Sequence, residues 1–344
     1  NGTAQKFSSD IINPDFIISN GTLDFFADKE GLEIKGNAKV KDLPIQAKLL
    51  GSLAKDEPKF LEIDFSLSEK VLEMLPDGFP EIKISGSAPA KLYLKFLESK
   101  KVEFDLVSDL KGVELSYRPI GWVKEMNGEA ELKVSGTIGN EFVLNNVYLI
   151  SPSLALVGSA VQQKDENFMF NFEKLALEDV FDIQLVIEKD GVLEVTGGEL
   201  DMQEFIKLPL AKNSSKKSTP ITVYLDELKL YEEQVITKFT AALEATGKGK
   251  FSGSLNDLAS FEGVLERVEE GYSIRANSNN AGSFIRALGA AKAADGGTAQ
   301  LNLRHLKNSP GMQGKLKIKN IRLRNMPALL ELLDAISIVG LLDQ

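Results

Sequence analysis

Long stretches of this chain alternate apolar and polar residues one by one. That period describes an extended strand with one dry and one wet face. Leu32-Glu33-Ile34-Lys35 continues through Gly36, Asn37, Ala38, Lys39 and Val40, with apolar or small residues at the even positions. The period recurs in Leu61/Ile63/Phe65/Leu67, Leu92/Leu94/Phe96, Val102/Phe104/Leu106, Phe168/Phe170/Phe172, Ile183/Leu185/Ile187, Ile221/Val223/Leu225 and Leu316/Ile318. A one-residue slip would turn every one of these residues to the other face, so the register is sharply specified. The expected fold is mostly β: a long, curved, mainly antiparallel sheet with few helices. Its inner face should carry Leu32, Ile34, Val40, Leu92, Leu94, Phe96, Phe104, Leu106, Phe170, Ile183, Leu185, Ile274, Leu301, Leu303, Leu316 and Ile318, with the intervening Glu and Lys outside.

Turn chemistry agrees with a meander, because Asn20-Gly21, Asn127-Gly128, Asp190-Gly191 and Asp295-Gly296 are pairs that accept positive φ in tight hairpins. Glycines also recur late in strands, two places after an apolar residue, as in Ile34/Gly36, Val134/Gly136 and Phe251/Gly253. Such glycines mark bulges, bends or close approaches. Helical period is confined to Ser68 to Leu75, Met202 to Leu210, Asn280 to Ala293 and the C-terminus. Residues 211–220, polar and basic, form the one stretch that resembles a linker or mobile loop. They suggest a β segment over 1–210 and a second over 221–344.

Composition narrows the chemistry. No Cys occurs, which removes disulfides, thiolate metal sites and cysteine nucleophiles, and one His, His305, leaves little imidazole chemistry. A formal net charge of −10 argues against a nucleic-acid partner. Carboxylate pairs such as Asp105/Asp109, Glu129/Glu131 and Glu262/Glu266 sit in alternating or charged runs and read as solvated faces rather than acid-base machinery. Trp122 reads as packing at a strand corner or, as the alternative, as sitting near a lipid head group. We expect no catalytic residue, no metal site and no cofactor. The sequence opens at Asn1-Gly2 without a charged leader or hydrophobic signal and reads as a fragment of a longer protein.

The greasiest stretch is Pro327 to Leu342. It carries Glu331 and Asp334 near its middle, too much charge to span a bilayer. On a helical wheel Glu331, Asp334 and Ser337 fall in one sector, and Leu329, Leu330, Leu333, Ile336 and Val339 lie in the broad apolar remainder. An amphipathic helix is expected, either capping the last strands or dipping into a membrane interface.

A sheet this large with one apolar face sets a covering problem, because four short helices cannot hide it. One solution is a second sheet or a closed barrel. The other is an open trough whose inner face holds lipid tails.

The segments "IISNGTLDFFADKEGLEIKGNAKVKDLPIQAKLLGSL", "YRPIGWVKEMNGEAELKVSG", "NNAGSFIRALGAAKAADGGTAQLNL" and "GMQGKLKIKNIRLRNMPALLELLDAISIVGLLD" resemble, in this order, the C-terminal half of AsmA-like bacterial envelope proteins of the YhdP type. Gly282-Ser283-Phe284 with Gly296-Gly297, and Met326-Pro327-Ala328-Leu329-Leu330 with Ser337 to Leu341, carry the resemblance most specifically. Where such proteins often show Trp-Ser-Lys followed by Pro, this chain has Trp122-Val123-Lys124-Glu125. The resemblance implies a non-enzymatic, periplasmic protein anchored in the inner membrane by an N-terminal helix outside this sequence. It also implies a hydrophobic β-groove conducting phospholipids toward the outer membrane. Its partners would be phospholipid acyl chains, the inner and outer membranes and other envelope proteins, with no nucleic acid. The physics fits: exposing a tail of about sixteen carbons to water at about 0.8 kcal/mol per methylene raises a barrier of roughly ten kcal/mol, which an apolar gutter removes. The alternative is a structural envelope tether, or an outer-membrane assembly factor that offers its sheet edge and conducts no lipid.

Overall fold

The computed structural model describes residues 1–9, 17–29, 31–51, 58–75, 82–97, 101–139, 141–162, 168–188, 190–208, 219–230, 234–268, 271–287, 294–306 and 312–323. Among them are twenty-five strands, three short α-helices and one 3-10 turn. Twenty of the strands belong to one sheet. The described residues divide into two compact units with the boundary at Glu178/Asp179.

In the first unit, eleven strands each lie antiparallel to the next: Gly2–Ser9, Ile18–Ala27, Leu32–Val40, Leu43–Gly51, Lys59–Leu67, Ala88–Phe96, Val102–Ser108, Glu131–Ile138, Phe142–Ile150, Leu154–Gln162 and Phe168–Leu177. Across these ladders Gly2, Phe25, Ile34, Leu49, Leu61, Leu94, Phe104, Gly136, Leu144, Ala160 and Phe170 oppose one another in turn. Directly opposed residues share a face, so this row crosses every strand of the unit without a polar side chain. One residue along, Thr3, Asp24, Lys35, Lys48, Glu62, Tyr93, Asp105, Ser135 and Asn146 are opposed on the other face, and each carries a polar group. Ion pairs decorate that wet face, such as Lys91 with Glu62 at 2.9 Å and Lys95 with Glu103 at 2.9 Å. Exposed pairs contribute at most about 1 kcal/mol each, so burial on the dry face dominates the stability of the sheet.

The second unit repeats the pattern over nine strands: Phe181–Ile187, Leu193–Asp201, Ile221–Lys229, Val235–Leu243, Gly249–Leu255, Ala259–Val268, Gly271–Ser278, Thr298–Leu306 and Met312–Lys319. Its apolar row runs Leu185, Val195, Val223, Ala241, Phe251, Gly263, Ala276, Leu301, Leu316. Leu193–Asp201 and Ile221–Lys229 pair in parallel, so the chain between them must cross over. The crossover begins with the helix Met202–Phe205, where the Asp201 carboxylate accepts the Gln203 and Glu204 amides at 2.9 and 3.1 Å. The polar stretch 211–220 belongs to this crossover and lies largely outside the described residues.

Local chemistry departs from expectation at two of the Asx-Gly pairs. Asp190-Gly191 does close a hairpin, with the Gly191 amide donating to the Glu188 carbonyl at 2.8 Å. Asn20-Gly21 instead lies inside the strand Ile18–Ala27, where Asn20 at φ 53° forms a bulge. A residue that tolerates positive φ serves a bulge as well as a turn. Asp295-Gly296 leads back to the helix Ala281–Ala287, whose Gly282 and Ala281 amides donate to the Gly296 and Gly297 carbonyls at 2.9 and 3.1 Å. That helix starts where expected, with the Asn280 side chain accepting the Ser283 amide at 3.0 Å. The helix Glu69–Leu72 likewise falls in its expected segment. The terminal helix expected to carry Leu329, Leu330, Leu333, Ile336 and Val339 lies outside the described residues.

Between Ser108 and Glu131 the chain leaves the large sheet, and Val113–Tyr117 and Trp122–Lys124 there form a small sheet with the earlier strand Lys83–Gly86. Leu110 and Val113 here are fully buried. Lys124, 3% exposed, turns its ammonium inward onto the carbonyls of Leu110 and Val113, the second at 2.8 Å. Burial pulls its pKa below the ordinary lysine range and the Asp109 carboxylate pulls it back. The aliphatic variant Lys124→Met keeps the stem but leaves buried carbonyls without a donor, and is expected to lower stability by about 2 kcal/mol in urea unfolding. Lys124→Arg, which puts a larger planar head group at a site only 3% exposed, should not rescue it.

Candidate functional site

The feature of this molecule that calls for a function is the dry face. In the first unit its buried residues Ala38, Leu43, Ile45, Leu61, Ile63, Leu94, Phe104, Leu144, Ala160 and Phe168 form one apolar cluster. Every strand residue packed against that cluster comes from the same face, and among the described residues only Val71 and Met74 reach it from outside the strands. No second layer of described residues lies over it.

All the residues expected on the inner face do lie on a common face within their unit. Leu94 and Phe104 are buried; Leu32, Ile34, Val40, Leu92, Phe96, Leu106 and Phe170 are half-buried. In the second unit Ile183, Leu185, Ile274, Leu301, Leu303, Leu316 and Ile318 are all half-buried. Half-burial across so much apolar surface means contact with side neighbours rather than with an opposing layer.

Alternation reveals only part of the aromatic chain in this face. Phe104 stacks on Phe142 with ring centroids 5.9 Å apart, Phe142 meets Phe168 edge-on at 6.3 Å, and Phe170 stacks on Phe172 at 5.8 Å. Phe170 and Phe172 are neighbours on one strand, whereas registers that only folding fixes bring Phe104, Phe142 and Phe168 together.

Polar groups on the dry face are few. Ser108 and Ser278 are buried at one end of their strands, each donating to a neighbouring strand's carbonyl at 2.8 Å, Pro89 and Ser260 respectively. Each also accepts an amide two residues on, from Leu110 at 3.1 Å and Asn280 at 3.3 Å. Among register-paired described residues, the only charge on this face is Lys59 in the first unit and Arg267 in the second. Both stand at the opposite end of their strands from the serines.

Of the carboxylates weighed as acid-base candidates, Asp105, Glu131, Glu262 and Glu266 lie on the wet face, while Asp109 and Glu129 lie outside the large sheet. Glu266 pairs with Arg275 at 2.9 Å and Glu131 with Lys133 at 2.7 Å. Trp122 is 5% exposed and donates its indole N–H to the Ser153 hydroxyl at 3.1 Å, the strand-corner packing expected of it. Among the described residues no group of His, Asp and Glu is arranged to hold a metal, and no helix is long and apolar enough to cross a membrane. Neither family models, curated proteins nor solved structures gave a match to this chain.

Proposed function

We propose that the chain is a section of a hydrophobic conduit that carries phospholipid acyl chains along the dry face of its sheet, in the periplasm between inner and outer membranes, without catalysing a reaction. The observation that supports this reading most is the uninterrupted apolar row, which crosses eleven strands in the first unit and nine in the second. A surface that large is left uncovered only at a heavy cost in water, about 25 cal/mol per Å², unless something apolar lies on it. Acyl chains fit, because they need contact area and no hydrogen-bonding partner, and this face offers both conditions. The resemblance to AsmA-like envelope proteins points the same way.

The test is lipid retention. Protein mixed with phospholipid vesicles, then re-isolated by size exclusion and extracted, should carry phospholipid in the mass spectrum. Leu106→Asp and Phe170→Asp place a charge on half-buried parts of the face and should lower retained lipid roughly tenfold while the fold persists, because an unpaired charge beside a tail costs several kcal/mol. A folded wild-type protein that retains no phospholipid would leave the structural-tether alternative standing.

A further inference from the structure

We infer that the wet face of the strands Thr298–Leu306 and Met312–Lys319 docks on the surface of an anionic phospholipid bilayer through Arg304, Lys315, Lys317 and Lys319. This contact goes beyond the conduit reading and does not depend on it, since the dry face takes no part.

Charge is spread unevenly along the chain. The net charge is −10, yet from Gly296 to Leu330 the sequence carries seven Lys and Arg and no Asp or Glu. Folding gathers four of these cations on one face. Lys315, Lys317 and Lys319 alternate with Leu316 and Ile318 of the dry face, so the three lysines share the wet one. Arg304 joins them, because it opposes Gln313 in the same register. All four are exposed. Lysines two places apart on a strand stand roughly 7 Å from one another. That is inside the screening length of about 10 Å at 0.1 M salt, so their fields add.

No carboxylate on the sheet answers them. The lysines are opposed by Asn302, Gln300 and Thr298. The first carboxylates on this face are Glu262 and Glu266, three strands from the lysines and so roughly 14 Å across the sheet. Glu266 already holds Arg275 at 2.9 Å, and Asp295, off the large sheet, pairs with Arg286 at 3.2 Å. Among the described residues none of the four cations has a carboxylate partner. Elsewhere the wet face interleaves its charges: Lys91 stands between Glu62 and Asp64 at 2.9 and 3.1 Å, and Lys229 beside Glu199 at 2.8 Å.

Protection of a sheet edge accounts for part of this pattern. Among the described residues Met312–Lys319 pairs on one side only, and lysines on such a strand discourage pairing with another sheet. That need does not reach Arg304, one strand in, or the absence of acidic residues from Gly296 to Leu330. A protein partner would be gripped through aromatic or aliphatic anchors. Between these cations the face offers Thr298, Gln300, Asn302 and Gln313 instead. An anionic bilayer needs no anchor there, because each Lys or Arg held near its surface strengthens binding about fivefold. The sequence that follows, Pro327 to Leu342, is the greasiest of the chain, and a basic patch joined to an apolar stretch is the pair of signals that holds peripheral proteins on membranes.

Flotation with vesicles tests the contact. The protein should float with phosphatidylcholine vesicles that contain phosphatidylglycerol and not with pure phosphatidylcholine. Raising NaCl from about 0.1 to about 1 M, which shortens the screening length to about 3 Å, should release it. The triple variant Lys315→Glu, Lys317→Glu, Lys319→Glu keeps the edge strand charged and should bind at least about a hundredfold more weakly. Lys35→Glu, Lys39→Glu and Lys238→Glu together change the net charge equally, at exposed wet-face positions away from the patch, and should weaken binding by no more than about threefold. Urea midpoints check that both variants fold. Equal flotation with both kinds of vesicle, indifference to salt, or equal losses in the two variants would overturn the inference. Self-association of the wild type that the triple variant abolishes, without flotation, would give the face to a second copy and overturn it too. The conduit reading is scored separately by lipid retained after re-isolation, which the triple variant should leave unchanged.

Discussion

Leu94→Asp is expected to lower the stability of the first unit by about 3–5 kcal/mol, whereas Tyr93→Asp, one residue earlier in the same strand, should change it by about 1 kcal/mol or less. Leu94 is 4% exposed and opposed by Leu61 and Phe104, so a carboxylate there meets only hydrocarbon and is too short to reach water. Tyr93 is 41% exposed and opposed by Glu62 and Asp105, with Lys91 and Lys95 on the same face. The new charge at that position stays hydrated and suffers only weak like-charge repulsion. Because both variants introduce the same residue into the same strand, differences in strand propensity and in the unfolded chain largely cancel. Urea unfolding followed by circular dichroism reads the contrast through the midpoint at constant slope. Equal losses, or a larger loss at Tyr93, would invert the register on which every statement about the dry face depends.

That register was legible because it has a period. Leu32 to Val40 alternates without a break, and an apolar side chain on the wrong face would lose its burial, so composition along the strand determines orientation. The turns were only half legible. Asp190-Gly191 and Asn20-Gly21 look alike in sequence, since each offers a residue that accepts positive φ beside a glycine. Whether that kink closes a hairpin or bends a strand depends on the partner strand, here Gly2–Ser9 beside Ile18–Ala27, and no local pattern encodes a partner.

The crossover at 201–221 was hidden for a related reason. A polar, basic stretch is what a linker between domains looks like, and a connection between two parallel neighbours can carry the same residues. Only the parallel pairing of Leu193–Asp201 with Ile221–Lys229 separates the two, and that pairing is long-range. Lys124 was hidden by its residue type, because lysine on an alternating segment reads as wet. Its burial follows from three backbone carbonyls, of Leu110, Val113 and Met126, that converge after folding. What covers the dry face stands between these cases. The sequence and the ladders both display the surface, while what lies on it depends on chemistry outside the chain.

Gly136→Ala should destabilise the first unit by about 3 kcal/mol, and Gly139→Ala, three residues on, by no more than about 0.5 kcal/mol. A Cβ on Gly136 would sit 2.1 Å from the Val143 carbonyl oxygen and 2.8 Å from the Phe104 ring. The first obstacle is the backbone of the neighbouring strand, which cannot swing aside as a side-chain tip does, so the ladder itself must part. On Gly139 the nearest atom is the Cγ of Lys101 at 3.4 Å, an ordinary contact on a flexible side chain. Gly136 stands beside the register shift between Ser135 and Gly136, and the next two strand pairs shift as well, between Leu144 and Val147 and between Val157 and Gly158. Bulges in successive ladders bend their strands and increase local twist, so the glycine permits a bend at the level of Phe104 and Phe170 in the apolar row. Hydrogen exchange of the Glu131–Ile138 and Phe142–Ile150 amides should therefore quicken in Gly136→Ala ahead of the rest of the unit. If the variant instead matches Gly139→Ala in both midpoint and exchange, the close approach at Gly136 is not what holds these strands in their bent register.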